Sequence, residues 1–187
     1  MKRLLVALLG LSFVTTACTA SGTRLAPQDP SRAPLTPAVS RAAAIYSAVI
    51  RQLVTNDASR GVGAIKRVYV IDGAVGSAED PQQSLSRQRP PRFDPAVKDG
   101  IITALSDLPP LTFISDRSAV VAGQGPGHVI HGGVLLTLGP IRGDGGTVTV
   151  GNSYWINGLD GQWLTYVVQE RATGWTIKGT AGPAAIS

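Results

Sequence analysis

The sequence predicts an α+β domain: an antiparallel meander of four or five strands, with two helices packed on one face of the sheet. Two observations predict this class. In the first half of the domain, two segments carry apolar residues at helical spacing behind a capping residue and a proline. After His128, apolar and polar residues alternate in successive segments that are separated by short Gly-rich turns, as in antiparallel hairpins with one buried face.

Both predicted helices begin with a cap followed by proline. Thr36 can cap the first helix, and Pro37 suits its first turn, where no backbone N–H donor is required. This helix extends to about Val54, and its apolar stripe consists of Ala42, Tyr46, Val49, Ile50 and Leu53. Asp94 and Pro95 open the second helix in the same way, and Pro109-Pro110 ends it. The stripe of the second helix consists of Val97, Ile101, Leu105 and Leu108.

Six segments are predicted to be strands. Val68–Ile71 is a buried strand closed by Asp72-Gly73, and Leu111–Ile114 is a short strand. The later part is all β, with strands at Val129–Leu138, Thr147–Ile156, Gln162–Glu170 and Trp175–Lys178. This order of elements resembles that of cystatin-like and NTF2-like α+β domains. The resemblance lies in element order alone, and a fold does not imply a function.

Residues 73–92 form a long polar segment between the first strand and the second helix. Such a stretch without secondary structure is uncommon in a compact domain and is usually a functional loop or a disordered insertion. It contains the densest basic stretch, Arg87, Arg89 and Arg92, which is either a solvated loop or a patch for an anionic partner. If the segment acts as a wedge, the protein is an immunity or inhibitor protein.

The first residues have the order of an export signal. Lys2 and Arg3 precede an apolar run from Leu4 to Val14, and Thr15-Thr16-Ala17-Cys18 follows. The run is about half of the roughly 20 residues that a transmembrane helix needs, so a secretory signal is predicted. The segment resembles the lipobox of bacterial lipoproteins cut by signal peptidase II. The resemblance implies that Cys18 becomes the mature N-terminus and carries a diacylglyceryl thioether. Ordinary signal cleavage would instead leave Cys18 as a free thiol.

Three regions are therefore expected: a signal peptide (1–17), a lipidated cysteine with a flexible Pro-rich tether (18–37) and a single α+β domain (38–187). Lys2 and Arg3 leave with the signal, which lowers the formal net charge from +5 to +3. The sequence has no stripe of Lys or Arg residues, so a nucleic-acid partner is not predicted. Cys18 is the only cysteine, so the domain has no internal disulfide. The excess of Arg over Lys, with abundant Ala, Gly and Pro, suits an actinobacterial source.

His128, His131 and Asp116 are the candidates for catalysis or metal binding. On a strand, an offset of three residues sends two side chains to opposite faces, which argues against a shared metal. A bulge or turn at Gly132-Gly133 would let the histidines converge, with Asp116 as a third ligand. One histidine can also act as an acid or base with Asp116. The pattern favours structural histidines and a turn or cap role for Asp116, with no metal and no cofactor.

Aromatic residues concentrate in the last strands. Alternation places Trp155 opposite to Tyr154, and Trp163 opposite to Tyr166. If Tyr166 lies in the core with Trp175, then Trp163 and Trp155 share the other face. Exposed indoles there would form a binding platform. Alternatively, the C-terminal tail or the 73–92 segment covers them.

Together these features predict a lipid-anchored, exported envelope protein that acts as a non-catalytic binding or assembly module on the extracytoplasmic face of the cell membrane. Its expected partners are the membrane, through lipid on Cys18, and an envelope protein or small ligand contacted by Trp155 and Trp163. The alternative is a small NTF2-like hydrolase or isomerase that uses Asp116 with His128 or His131.

Overall fold

A computed structural model describes residues 35–59, 63–84 and 90–187. The predicted signal peptide, Cys18 and most of the predicted tether lie outside the described residues, as does the central part of the 73–92 segment. The described residues contain two main helices and an eight-stranded sheet with both parallel and antiparallel pairs.

The first helix, α1 (Pro37–Gln52), is capped as predicted, because Thr36 Oγ1 accepts a hydrogen bond from the Val39 N–H at 3.3 Å. Its C-terminus continues into one π-helical turn, Leu53–Asp57. A short helix, α2 (Pro81–Ser84), interrupts the predicted 73–92 loop. The second main helix, α3 (Pro95–Ala104), begins at its predicted cap, where Asp94 Oδ1 accepts from the Ala96 N–H at 2.7 Å.

The first two strands of the chain are β1 (Arg67–Ala74) and β2 (Leu111–Ile114), and the last four are β5 (Gly133–Arg142), β6 (Thr147–Asn157), β7 (Asp160–Arg171) and β8 (Gly174–Ile186). These six strands lie side by side in the order β2-β1-β5-β6-β7-β8, and the two remaining short strands form a hairpin described below. Strands β5 to β8 form the predicted antiparallel meander. However, β1 pairs in parallel with both β2 and β5, so the predicted simple meander is too small and lacks the parallel part.

The parallel pairing is not predictable from the sequence, because a buried strand has the same residue pattern whether its neighbour runs parallel or antiparallel to it. Val68 and Val70 of β1 are fully buried, as expected for a strand flanked on both sides. The α3 helix lies between β1 and β2 in the chain, which is the usual way to join two parallel strands.

Both main helices pack on one face of the sheet, as predicted. They approach closely at Gly100 of α3, where a Cβ atom would lie 2.8 Å from Ala43 Cβ of α1. The core beneath them is built from residues of both helices together with alternate residues of the strands. Its largest fully buried members include Tyr166, Ile45, Ile50, Leu53, Ile101 and Leu136.

A smaller apolar cluster lies on the opposite face and is covered by a hairpin. We call residues 120–130 the strap; its two-residue strands are β3 (Val121–Ala122) and β4 (His128–Val129). The second cluster consists of Tyr69, Val120, Val129, Leu135, Trp155 and Trp163. The strap therefore contributes two of its buried residues, and the domain has an apolar core on each face of its sheet.

Four element boundaries differ from the predictions. The first strand, β1, runs through Asp72 and Gly73 to Ala74 and is not closed by them. The predicted strand Val129–Leu138 is broken by a 3₁₀ turn at Ile130–Gly132 before β5 begins. The α3 helix ends at Ala104, well before Pro109. The last strand continues to Ile186 although its alternation ends near Lys178. Bulges at Lys178 and at 182–184 interrupt its register, and the strand pairs with β7 on both sides of each bulge.

Candidate functional site

The two histidines do not lie on one continuous strand, so the alternation argument does not apply to them. His131 sits in the 3₁₀ turn with φ 56° and ψ 27°, a left-handed conformation that is uncommon for residues other than glycine. Its Nδ1 lies 3.1 Å from the hydroxyl oxygen of Tyr69. His128 is an exposed residue of β4, paired with Ala122 and Asn157.

Asp116 has the capping role that was favoured over catalysis. Its Oδ1 accepts a hydrogen bond from the Ser118 N–H at 2.8 Å, at the start of the 3₁₀ turn Arg117–Ala119. Among residues 35–59, 63–84 and 90–187, no three His, Cys, Asp or Glu side chains lie close enough together to hold a metal ion.

The faces of the aromatic residues were predicted correctly. Tyr154 and Tyr166 belong to the core under the helices, whereas Trp155 and Trp163 belong to the second cluster. The exposed indole platform is wrong, since Trp155 is 5% exposed and Trp163 is 4% exposed. Their cover is the strap, and Ala185 of β8 packs beside Trp163 as its cross-strand partner.

Both indoles lie over Gly161 of β7. A Cβ atom at Gly161 would lie 2.9 Å from Trp163 Cη2 and 3.0 Å from Trp155 Cδ1. Because glycine has no Cβ atom, both rings can lie close to the backbone at this position. On the other side, Trp155 pairs across the sheet with Leu135, and Leu135 pairs with Tyr69.

Arg117 lies against the outer side of this aromatic group. Its guanidinium carbon is 5.0 Å from the centre of the Trp155 ring, which is a cation–π distance. The guanidinium makes no hydrogen bond and no ion pair to the residues that the structure describes. Burial lowers the pKa of Arg117, an effect partly opposed by the neighbouring negative charge of Asp116.

A polar group that the sequence analysis missed joins the π-helical turn to the sheet. Asp57 accepts hydrogen bonds from the Tyr166 hydroxyl and from Gln52 Nε2, the latter at 2.9 Å. Burial raises the pKa of Asp57, and the hydrogen bond from Gln52 partly opposes this effect. Asp57 lies just beyond the predicted end of the first helix, and the local sequence predicts no partner for it. The useful signal was Tyr166, a core tyrosine whose buried hydroxyl needs a partner.

A second carboxylate lies next to this group. Ser59 Oγ donates to Asp160 Oδ2 at 2.6 Å. Burial is the main cause that raises the pKa of Tyr154, and the charges of Asp160 and Asp57 add to it, while a backbone hydrogen bond from Ser59 lowers it. These carboxylates hold the end of α1 against β6 and β7, which is a structural use of both groups.

Two further carboxylates are largely buried against the sheet. Asp72 of β1 forms an ion pair with Lys98 of α3 at 3.0 Å, and its other oxygen, Oδ1, has no hydrogen-bond partner among the described residues. Glu79 packs directly on Gly151 and lies 3.4 Å from Arg142. Each pair links a neighbouring segment to the sheet.

Comparison with known proteins returned no match among protein-family models, curated proteins or solved structures. Within the described parts of the chain, no helix is long and apolar enough to cross a membrane.

Proposed function

We propose that this protein is a lipid-anchored, exported envelope protein that acts as a non-catalytic binding or assembly module on the extracytoplasmic face of the cell membrane. The observation that carries the proposal is the sequence around Cys18. A charged start, a short apolar run and small residues precede the only cysteine of the chain. This order resembles the lipobox, and two acyl chains on one cysteine meet the condition for stable anchoring.

The length of the predicted tether supports the anchor. Residues 19–34 separate Cys18 from Leu35, where the described part of the chain begins. If residues 19–34 form the predicted flexible tether, they span roughly 20 Å on average, estimated at about 5–6 Å times the square root of the residue number. That reach holds a domain beside the bilayer without embedding it.

The use of the candidate catalytic groups supports a non-catalytic role. Asp116 is engaged in capping a turn, and His131 contacts the Tyr69 hydroxyl. General acid–base catalysis needs a proton donor or acceptor that can reach a substrate atom. The carboxylates of Asp57 and Asp160 instead accept hydrogen bonds within the fold.

Fractionation of cells that express the full chain tests the anchor. We expect the wild type and a matched control variant in the tether, Ser21→Ala, to be found in the membrane fraction. Detergent should release both proteins from the membrane, and high salt should not. Cys18→Ala is expected to leave the membrane fraction. An inhibitor of signal peptidase II should make the wild type accumulate as a longer precursor. Retention of Cys18→Ala in the membrane contradicts the lipid anchor.

Co-purification from detergent-solubilised membranes tests the binding role. The wild type is expected to retain a ligand or partner in stoichiometric amount after mild extraction. Recovery of the bare protein at every detergent concentration contradicts a binding or assembly role.

A further inference from the structure

The second cluster forms part of an apolar stripe that crosses the sheet. Partly buried apolar residues extend it to both edge strands, with Ile114 on β2 and Ala185 on β8. Six neighbouring strands about 4.8 Å apart give the stripe a length of about 24 Å. Its sheet-borne members, in the order of the strands, are Ile114, Tyr69, Leu135, Trp155, Trp163 and Ala185.

The strap that covers this stripe is joined to the sheet by few contacts. Its strands pair with each other at two positions, and β4 pairs with β6 only at His128 and Asn157. The tip contains three glycines with positive φ, Gly123, Gly125 and Gly127. Segments with few backbone pairs open locally at a lower free-energy cost than global unfolding, and the cost of lifting the strap comes mainly from exposing Val120 and Val129. The strap can therefore lift while β1 and β5 to β8 stay paired.

Arg117 stands beside the strap, and its hydrogen-bond donors are not used by the described residues. A guanidinium has five N–H donors in a fixed fork that suits carboxylate and phosphate. Arg41 provides the comparison: it lies 5.1 Å from the Trp175 ring but also donates to the Gly145 carbonyl at 2.9 Å. Within the described chain, Arg117 has only the stacking contact with Trp155. Asp116 is the adjacent anion, and its Oδ1 is turned to the Ser118 N–H.

We propose that the stripe beneath the strap binds a long-chain fatty acid, with the acyl chain along Trp155 and Leu135 and the carboxylate on Arg117. The apolar stripe supplies the chain site, the cation supplies the head-group site, and opening of the strap supplies entry. This inference rests on the proposed binding role and gives that role a ligand class.

Binding of oleate to the purified protein, measured by tryptophan fluorescence and by calorimetry, tests the head-group site. Arg117→Ala removes a charge-assisted hydrogen bond and is expected to weaken oleate binding about tenfold or more. Monoolein, which has the same chain and no charge, should bind equally to wild type and Arg117→Ala. Arg41→Ala is the matched control and should leave oleate binding unchanged. Equal loss in both arginine variants, or no oleate binding to the wild type, overturns the proposal.

A reversible disulfide between the strap and the sheet tests whether the strap must open for binding. Pro126 at the strap tip lies over Gly158, where a Cβ atom would be 2.7 Å from Pro126 Cβ. Disulfides have Cβ atoms about 3.8 Å apart, so a shift of about 1 Å at the tip allows Pro126→Cys with Gly158→Cys to pair in a Cys18→Ser background. The oxidised form should lose oleate binding, and reduction should restore it. Binding that is independent of oxidation overturns the strap mechanism.

Hydrogen exchange of the wild type gives a test without cysteine variants. Backbone amides of residues 121–129 should exchange faster than those of β5 and β6, and oleate should slow them. Unchanged exchange in the strap with oleate bound contradicts entry beneath it. Since the fractionation of Cys18→Ala involves no ligand, its failure is distinct from failure of fatty-acid binding.

Discussion

Replacement of Gly161 by alanine tests most directly how tightly the two indoles pack over this residue. The added Cβ atom would lie 2.9 to 3.0 Å from Trp163, Trp155 and the Ser187 hydroxyl. Overpacking of a tight site typically costs about 1–3 kcal/mol. Alanine in a strand recovers roughly 0.5–1 kcal/mol relative to glycine, because glycine loses more backbone entropy on folding. The expected result is a net loss of about 1 kcal/mol in the free energy of unfolding.

Gly179 of β8 offers a matched control, because a Cβ atom added there would have no described atom within 4 Å. Gly179→Ala should therefore gain about 0.5–1 kcal/mol. The two variants should differ by about 2 kcal/mol, or roughly 4–8 °C in Tm for a domain of this size. Chemical and thermal denaturation of the purified protein measure this difference. Equal stability of Gly161→Ala and Gly179→Ala would refute the tight packing of both indoles over Gly161.

Three further predictions concern buried polar groups. Ser47→Ala should raise the free energy of unfolding by about 1 kcal/mol, because the Ser47 hydroxyl is buried without a hydrogen-bond partner among the described residues. Urea denaturation measures this change, and a destabilised variant would show that the hydroxyl has a partner. Lys98→Ala should lower the free energy of unfolding by about 1–3 kcal/mol, since it removes the ion-pair partner of the buried Asp72 carboxylate. The double variant Lys98→Ala with Asp72→Asn should recover part of that loss, because no buried charge is left without a partner. Burial raises the pKa of Asp57 from 3.8, so its contribution to stability falls as the pH rises through the folded pKa. The stability of Asp57→Asn relative to wild type should therefore increase from pH 3 to pH 7 in denaturation curves, and a constant difference contradicts the raised pKa.

Local features of the fold were predictable because local chemistry determines them. Thr36 and Asp94 cap their helices through contacts within three residues, and the hairpins of the meander depend on short turns. The parallel strands depend on which strands meet after the chain has crossed the sheet, and no local pattern encodes that choice. The long β8 strand was missed for a related reason, since its pairing through Pro183 depends on β7.

For the candidate site, the alternation of side chains along the strands predicted only which residues share a face of the sheet. The period of two residues placed Trp155 and Trp163 on one face, and it placed Tyr166 on the other. It gave no information on what covers that face, because the strap comes from a distant and Gly-rich part of the chain. The partnership of Asp57 with Tyr166 is likewise a contact between segments far apart in sequence.

The irregular shape of β8 has a consequence for the protein at high local concentration. A long edge strand presents unpaired backbone groups on which a second chain can form a continuous intermolecular sheet. The two bulges of β8, one containing Pro183 and the other formed at Lys178, interrupt that row of donors and acceptors. If many copies share one membrane surface, as the proposed anchor implies, this interruption keeps neighbouring domains from joining edge to edge.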